Sequence, residues 1–245
     1  MTRKLLLTFA ALPLLAVGHA AHAATVTVGS ESTISVDGTF YTLVGEKPNG
    51  IMWEDDGLGG YKACGCKMSA FRALQALGDY LGMNDTFTTS AISIKTGWNT
   101  HGPEELYVET LGWVEGVNFS YADPITGVQY LTLADSWYEF TIGGHTYRVN
   151  LDDSIYDFTP DSNHAGYHAD WDFFEYRTFA QTTTGTAAEK TYFVNVVKPQ
   201  LMDTLKGETT FEVSQVAPVP IPGAALLLGS GLLGLIGIGR RGRKA

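Results

Sequence analysis

The chain is expected to be an α+β protein: an antiparallel sheet with a few helices in its first half, and a transmembrane helix at its C-terminus. Three observations lead there. Short β-branched and aromatic runs separated by turn residues recur through residues 25–213. A stretch with apolar residues at helical spacing interrupts them at Lys67 to Gly82. Finally, Ile221 to Gly239 runs without a single charge. A β-sandwich is the alternative, and the 67–82 helix argues against it.

The strand pattern begins at Thr25 to Val28, Thr33 to Val36 and Phe40 to Val44, with Asp37-Gly38 supplying a hairpin turn between the last two. In the helix that follows, Met68, Phe71, Leu74, Leu77 and Leu81 recur every three or four residues, and Gly82 provides the stop. Ala91 to Lys95 reads as a strand. Pro103-Glu104-Glu105 has the proline and acids of a helix start, and that helix should run to Leu111. Strands are expected at Asn118 to Tyr121, Gln129 to Leu133, Trp137 to Ile142 and His145 to Leu151, the last pair joined through Gly143-Gly144. Residues 152–170 read as a polar loop. Asp172 to Ala180 and Thr191 to Val197 read as strands, Leu201 to Leu205 as a helical turn, and Thr209 to Val213 as the last strand.

Both ends carry addresses. Arg3 and Lys4 precede the apolar run Leu5 to Val17, and Ala21-His22-Ala23 gives a small–x–small cleavage pattern. Residues 1–23 therefore read as a signal peptide, to be removed by signal peptidase after passage through the secretion machinery. At the other end, Val219-Pro220-Ile221-Pro222-Gly223 cannot lie inside a helix. The uncharged 221–239 segment spans about 30 Å when helical, the hydrocarbon thickness of a bilayer. Arg240, Arg241, Arg243 and Lys244 follow and favour the cytoplasmic side. The expected organisation is a signal at 1–23, an exported globular domain at 24–217 and a sorting tail at 218–245.

This order of proline motif, glycine- and leucine-rich helix and basic cluster resembles the PEP-CTERM sorting signals, including their VPxPA-like variants. The resemblance covers the last thirty or so residues. It implies export, retention by the tail and cutting by an exosortase-like enzyme near Val219-Pro220-Ile221-Pro222-Gly223, with Ile221 standing where the standard motif has glutamate. It also implies a cell-surface or extracellular destination and a link to exopolysaccharide or biofilm.

Charge narrows the partners. Six of the sixteen basic residues lie in the two end segments and none of the 26 acids does, so the exported body carries ten against 26, a formal charge of −16. Such a body repels nucleic acid, which is excluded as a partner, and tolerates divalent cations and neutral polysaccharide.

Two cysteines, Cys64 and Cys66, stand just before the 67–82 helix. A cysteine at a helix N-terminus is favoured as thiolate by the dipole. Three readings follow: a tight disulfide in an oxidising compartment, a metal site with histidines, or a nucleophile with His145 as base. The metal candidates are Cys64, Cys66, His101, His145, His164, His168 and Asp170. His164-x-x-x-His168 with Asp170 behind it has ligand spacing for zinc, provided the segment is helical. Asp152, Asp153, Asp157 and Asp161 are candidates for calcium, and Asp161 to Asp172 is similar to an EF-hand loop.

Gly65-Cys66 before Ala70-Phe71-Arg72-Ala73-Leu74 and Leu77-Gly78-Asp79-Tyr80-Leu81-Gly82 resembles the cysteine-bearing helix of the FmdE family. Ile94 to Pro103 fits the strand-to-helix layout of that family. The resemblance implies an α+β domain able to bind metal, although Gly65-Cys66-Lys67 stands where the family has Cys-Pro-Gly. The same helix is also similar to the start of papain-like or C39-type peptidases, which implies hydrolysis through a cysteine. No serine nucleophile elbow, phosphate loop or dinucleotide fingerprint occurs.

Overall fold

The computed structural model describes residues 23–30, 33–44, 49–54, 61–62, 65–122, 132–181 and 184–216. Within them the chain is α+β, built on two mixed sheets. The strands are β1 (Ala23–Val28), β2 (Thr33–Val36), β3 (Thr39–Val44), β4 (Gly50–Glu54), β5 (Tyr61–Lys62), β6 (Thr86–Phe87), β7 (Ile92–Thr96), β8 (Phe119–Tyr121), β9 (Trp137–Ile142), β10 (His145–Leu151) and β11 (Thr209–Val216). The helices are α1 (Gly65–Leu81), α2 (His101–Glu104), α3 (Phe173–Gln181), α4 (Ala187–Tyr192) and α5 (Lys198–Lys206). Residues 1–22 of the expected signal, Cys64, residues 129–131 of the strand expected at Gln129 to Leu133, and everything from residue 217, with the expected sorting tail, lie outside the described residues. Among the described residues no helix is long and apolar enough to cross a membrane.

The larger sheet has the order β1-β11-β10-β9-β7-β8, antiparallel except for the parallel β7–β8 pair. Its register places Val149 opposite Val213 and Tyr138, and Leu151 opposite Phe211. These side chains form the buried face. The second sheet runs β5-β4-β3-β2-β6 and contributes Ile34, Val36, Leu43, Ile51 and Phe87 to the same core. Both turns read from sequence form. Asp37 and Gly38 take φ of 50° and 82°, and Gly143 and Gly144 take 57° and 82°. Positive φ at both central residues suits the twist of the flanking strands.

Helix α1 is the axis of the molecule. Its apolar spacing predicts one buried face, yet nearly every residue from Gly65 to Gly78 is buried. The larger sheet takes one side, while α2 and α5 also pack against it. Its polar residues are therefore satisfied inside the protein rather than by water. Lys67 reaches Glu105 at 3.0 Å, and Arg72 donates to the carbonyls of Gly29, Leu205, Lys206 and Gly207.

Helix α2 continues through a π-helical turn, Glu105–Thr110. There Leu111 N–H reaches back to the Leu106 carbonyl, and the Thr110 hydroxyl donates to the Glu105 carbonyl at 2.7 Å. A side chain inserted into the ladder in this way is a known source of such turns. The turn delivers Tyr107 to the core, where its hydroxyl donates to the Ala70 carbonyl at 2.6 Å.

The second half corrects the sequence reading. Helices are not confined to the first half: 172–180 and 191–197 are helical, not strands, as α3 and as α4 with its π-helical continuation Phe193–Val197. Aromatic and β-branched content suggested extended chain, but capping decides otherwise. Asp172 and Glu175 exchange backbone-to-carboxylate bonds of 2.8 and 2.9 Å, and Thr186 and Glu189 form the same reciprocal box. Each box satisfies two N–H groups that a helix start otherwise leaves orphaned. Leu133, expected to end a strand, instead opens a 3-10 turn, Leu133–Asp135.

Candidate functional site

The start of α1 lies against α2. Gly102 is pressed onto Cys66 so tightly that a Cβ added there would stand 2.6 Å from the Cys66 Cβ and 2.7 Å from the Lys67 nitrogen. Only glycine permits that approach. The contact sets the backbone of the residue that follows His101 against Cys66. The His101 ring is largely exposed, and its Nδ1 lies 3.4 Å from a Glu105 carboxylate oxygen. The other Glu105 oxygen takes Lys67. Cys66 itself is half-buried, and Cys64 lies outside the described residues.

Behind Cys66 is a buried polar nest. The Ser69 hydroxyl lies 3.0 Å from the Cys66 carbonyl and 3.3 Å from the Tyr138 hydroxyl. Burial drives the Tyr138 phenol well above its ordinary pKa, and neighbouring Tyr107 adds to the shift. Burial also raises Tyr156. The Ser136 hydroxyl approaches Tyr156 and eases its pKa down, although neither oxygen completes a well-formed hydrogen bond. Both tyrosines lie within electrostatic reach of Cys66. Phenols with raised pKa keep their protons at neutral pH, so neither serves as a base toward the thiol.

Trp98 closes the nest. It stacks on Tyr156 at 5.8 Å with 12° between the rings, and the Arg177 guanidinium lies 5.6 Å from its centroid. Among the described residues, Trp98 Nε1, Ser136 Oγ, Tyr156 OH and Arg177 Nη1 are all buried without a hydrogen-bond partner. So many orphaned polar atoms together are unusual in a native interior.

Tyr156 also faces a second feature. A cavity of about 490 Å³ is walled by Leu133, Tyr156, Phe173, Phe174 and Phe179. Asp153, Asp157, Asp172 and Glu175 complete its lining with Thr132 and Thr178, and among the described residues no Lys, Arg or His side chain takes part. Asp172 and Glu175 are there because they cap α3; Asp153 comes from the 3-10 turn Asp153–Tyr156, itself capped by Asp152. A cavity of this size, with apolar walls and a few polar groups, is the usual form of a small-molecule site.

Apart from Asp153 and Asp157, which share the cavity lining, the candidate ligands drawn from sequence are not gathered into one site among the described residues. His145, proposed as a base, sits at the start of β10, where its Nδ1 accepts from Gln215 Nε2 at 2.9 Å. His164 packs edge-on against Tyr192. His168 pairs with Glu189 at 2.8 Å and stacks on Trp171 at 3.8 Å. The segment carrying His164, His168 and Asp170 is a series of turns, so helical ligand spacing does not apply. Asp161 accepts from Asn163 N–H in a local turn, and Asp152 is spent on Ser154. Among the described residues no three His, Cys, Asp or Glu side chains gather as a metal site.

Trp98, Ser136, Tyr138, Tyr156 and Arg177 were not evident as a group from sequence. Reading Asp172-x-x-Glu175 as a capping box would have placed Phe173, Phe174 and Arg177 on one helix and pointed to the cavity. Comparison with protein-family models, with curated proteins and with solved structures returns no match for this chain.

Proposed function

We propose that the chain is an exported cell-envelope protein, sorted by its C-terminal tail and serving at the cell surface or in an extracellular matrix, in connection with exopolysaccharide or biofilm. The observation that carries this reading is the tail itself: Val219-Pro220-Ile221-Pro222-Gly223, then 221–239 without a charge, then Arg240, Arg241, Arg243 and Lys244. The signal-like residues 1–23 and the charge of −16 on the body between support it. So does the topology. β1, which begins at the expected signal cleavage point, pairs with β11, which leads into the tail, and Ala23 lies opposite Ser214. The N-terminal end of β1 and the C-terminal end of β11 thus lie at one end of one strand pair.

In this reading an exosortase-like enzyme cuts near the proline motif after signal peptidase has acted. Deleting residues 218–245 tests it. Display at the surface should be lost while secretion continues. Undiminished display after the deletion would rule out sorting by the tail.

One observation favours a second reading, cysteine chemistry at the start of α1. Gly102, the residue after His101, packs on Cys66, and His101 approaches Glu105, so the histidine to test with that thiol is His101 in place of His145. A nucleophilic thiol with a neighbouring imidazole should show an alkylation rate whose pH profile changes in His101→Ala. An unreactive Cys66, bridged to Cys64 by intact mass, would leave this end of α1 a structural joint.

A further inference from the structure

The cavity between the 3-10 turns and α3 goes unused in the sorting reading, and its lining is specific. Apolar walls from Leu133, Tyr156, Phe173, Phe174 and Phe179 meet four carboxylates, from Asp153, Asp157, Asp172 and Glu175, with no basic side chain among the described lining residues to neutralise them. Some acids elsewhere are paired. Glu139 holds Arg148 at 2.6 Å, Glu105 holds Lys67 and Glu189 holds His168. Arg177, a cation carried by α3 itself, is turned away and packs against Trp98 within the core.

We infer that this cavity binds a small organic cation with an apolar body, of the aralkyl ammonium kind. The chemistry has two parts. The aromatic walls take the hydrocarbon portion and can hold a cation over a ring face. The exposed carboxylates of the lining favour positive charge and repel anions within a Debye length of about 8 Å. An anionic sugar or lipid head group is disfavoured by the same four charges. Tyr156, 7 % exposed, forms the wall between the cavity and the polar nest beside Cys66, so an occupant would bear on Trp98 through the stacked ring.

Titration calorimetry on the full-length protein in nanodiscs of neutral lipid tests this, with empty nanodiscs as the blank. Three probes of matched shape are 3-phenylpropylamine, 3-phenylpropanol and 3-phenylpropionate. The amine should bind at least about tenfold more tightly than the alcohol, and the acid should not bind, as expected for several carboxylates near one charge. Raising salt from roughly 50 mM to roughly 500 mM should weaken the amine and leave the alcohol unchanged. A double Asp153→Asn, Asp157→Asn variant, changed only at exposed side chains, should bring the amine down toward the alcohol. Equal binding of amine and alcohol, binding of the acid, or no binding of any probe would overturn the inference. None of these results bears on whether residues 218–245 direct sorting.

Discussion

Arg72 in α1 donates from Nε to the carbonyl of Leu205 in the last turn of α5, at 2.6 Å. The same guanidinium spans to Lys206 and Gly207 at 3.1 and 2.6 Å, and to Gly29 just after β1 at 2.7 Å. It thereby satisfies the carbonyls that end α5, which have no partner within their own helix. Burial lowers its pKa to about 10, so it remains charged at neutral pH.

Arg72→Met should therefore be costly. It removes a buried cation and strands several carbonyls, and a loss of about 3–5 kcal/mol is expected. Arg72→Lys should recover only part of this, because an ammonium cannot fork to carbonyls in several directions. Urea unfolding reads the difference. A midpoint for Arg72→Met equal to that of the unaltered protein would mean that this clamp does not hold α1 to α5.

Gly102→Ala tests the joint between α1 and α2. The added methyl meets Cys66 Cβ and the Lys67 backbone, neither of which can swing aside. Separating the helix ends should cost about 1–3 kcal/mol, typical of overpacking. It should also raise the alkylation rate of any Cys66 thiol that is not bridged. Unchanged stability would show that the two helix ends slide apart freely.

Asp85 gives a pH dependence with a definite sign. Burial, and secondarily the neighbouring Asp79 carboxylate, raises its pKa from 3.8 to about 6. The folded protein thus holds this proton more tightly than the unfolded chain does. The stabilisation is complete below about pH 4 and is lost as pH rises through about 6. Asp85→Asn should be more stable than the unaltered protein at pH 8 by about 1 kcal/mol, a figure reduced for solvent screening of a half-exposed group. The advantage should vanish near pH 4. The backbone φ of 51° at this position suits asparagine equally well. Thermal melts at the two pH values decide it, and an advantage independent of pH would contradict the assignment.

Gly166 fixes the 161–168 turns against α4. Its φ is +91°, and a Cβ would strike the Ala188 carbonyl. Gly166→Ala should loosen this loop, breaking the 2.8 Å His168–Glu189 contact, and cost about 1–3 kcal/mol. Hydrogen exchange at the 164–168 amides should quicken. Protection equal to that of the unaltered protein would argue that the loop is held by other contacts.

How much of this was legible follows from where the deciding interactions are local. The hairpins at Asp37-Gly38 and Gly143-Gly144 and the helix stop at Gly82 rest on backbone φ, which glycine and aspartate announce. The second-half helices were hidden because Phe173, Phe174, Tyr176 and Phe179 have strand-like propensity, while the deciding signals, Asp172 with Glu175 and Thr186 with Glu189, are quiet three-residue spacings. That α1 is enclosed on its polar side also could not be read from spacing, since Arg72 finds three of its carbonyl partners more than 130 residues away. The candidate site suffered most. It joins residues 66, 98, 136, 138, 156 and 177 through long-range packing, and histidine spacing along the chain carries no information about that.

The position of β11 has a kinetic consequence. It is the last described strand in sequence, yet it sits inside the sheet between β1 and β10. A chain synthesised from its N-terminus must therefore keep β1 waiting for its ladder partner until residues 209–216 have been delivered. Closing so long a loop is slow, and an unpaired strand is a sticky edge in the meantime. If the chain crosses a membrane as it is made, final closure of the sheet becomes a timer: the body locks shut only as the segment leading to the proline motif arrives. A cut made after that moment would release a finished domain, and a cut made before it would release one still open.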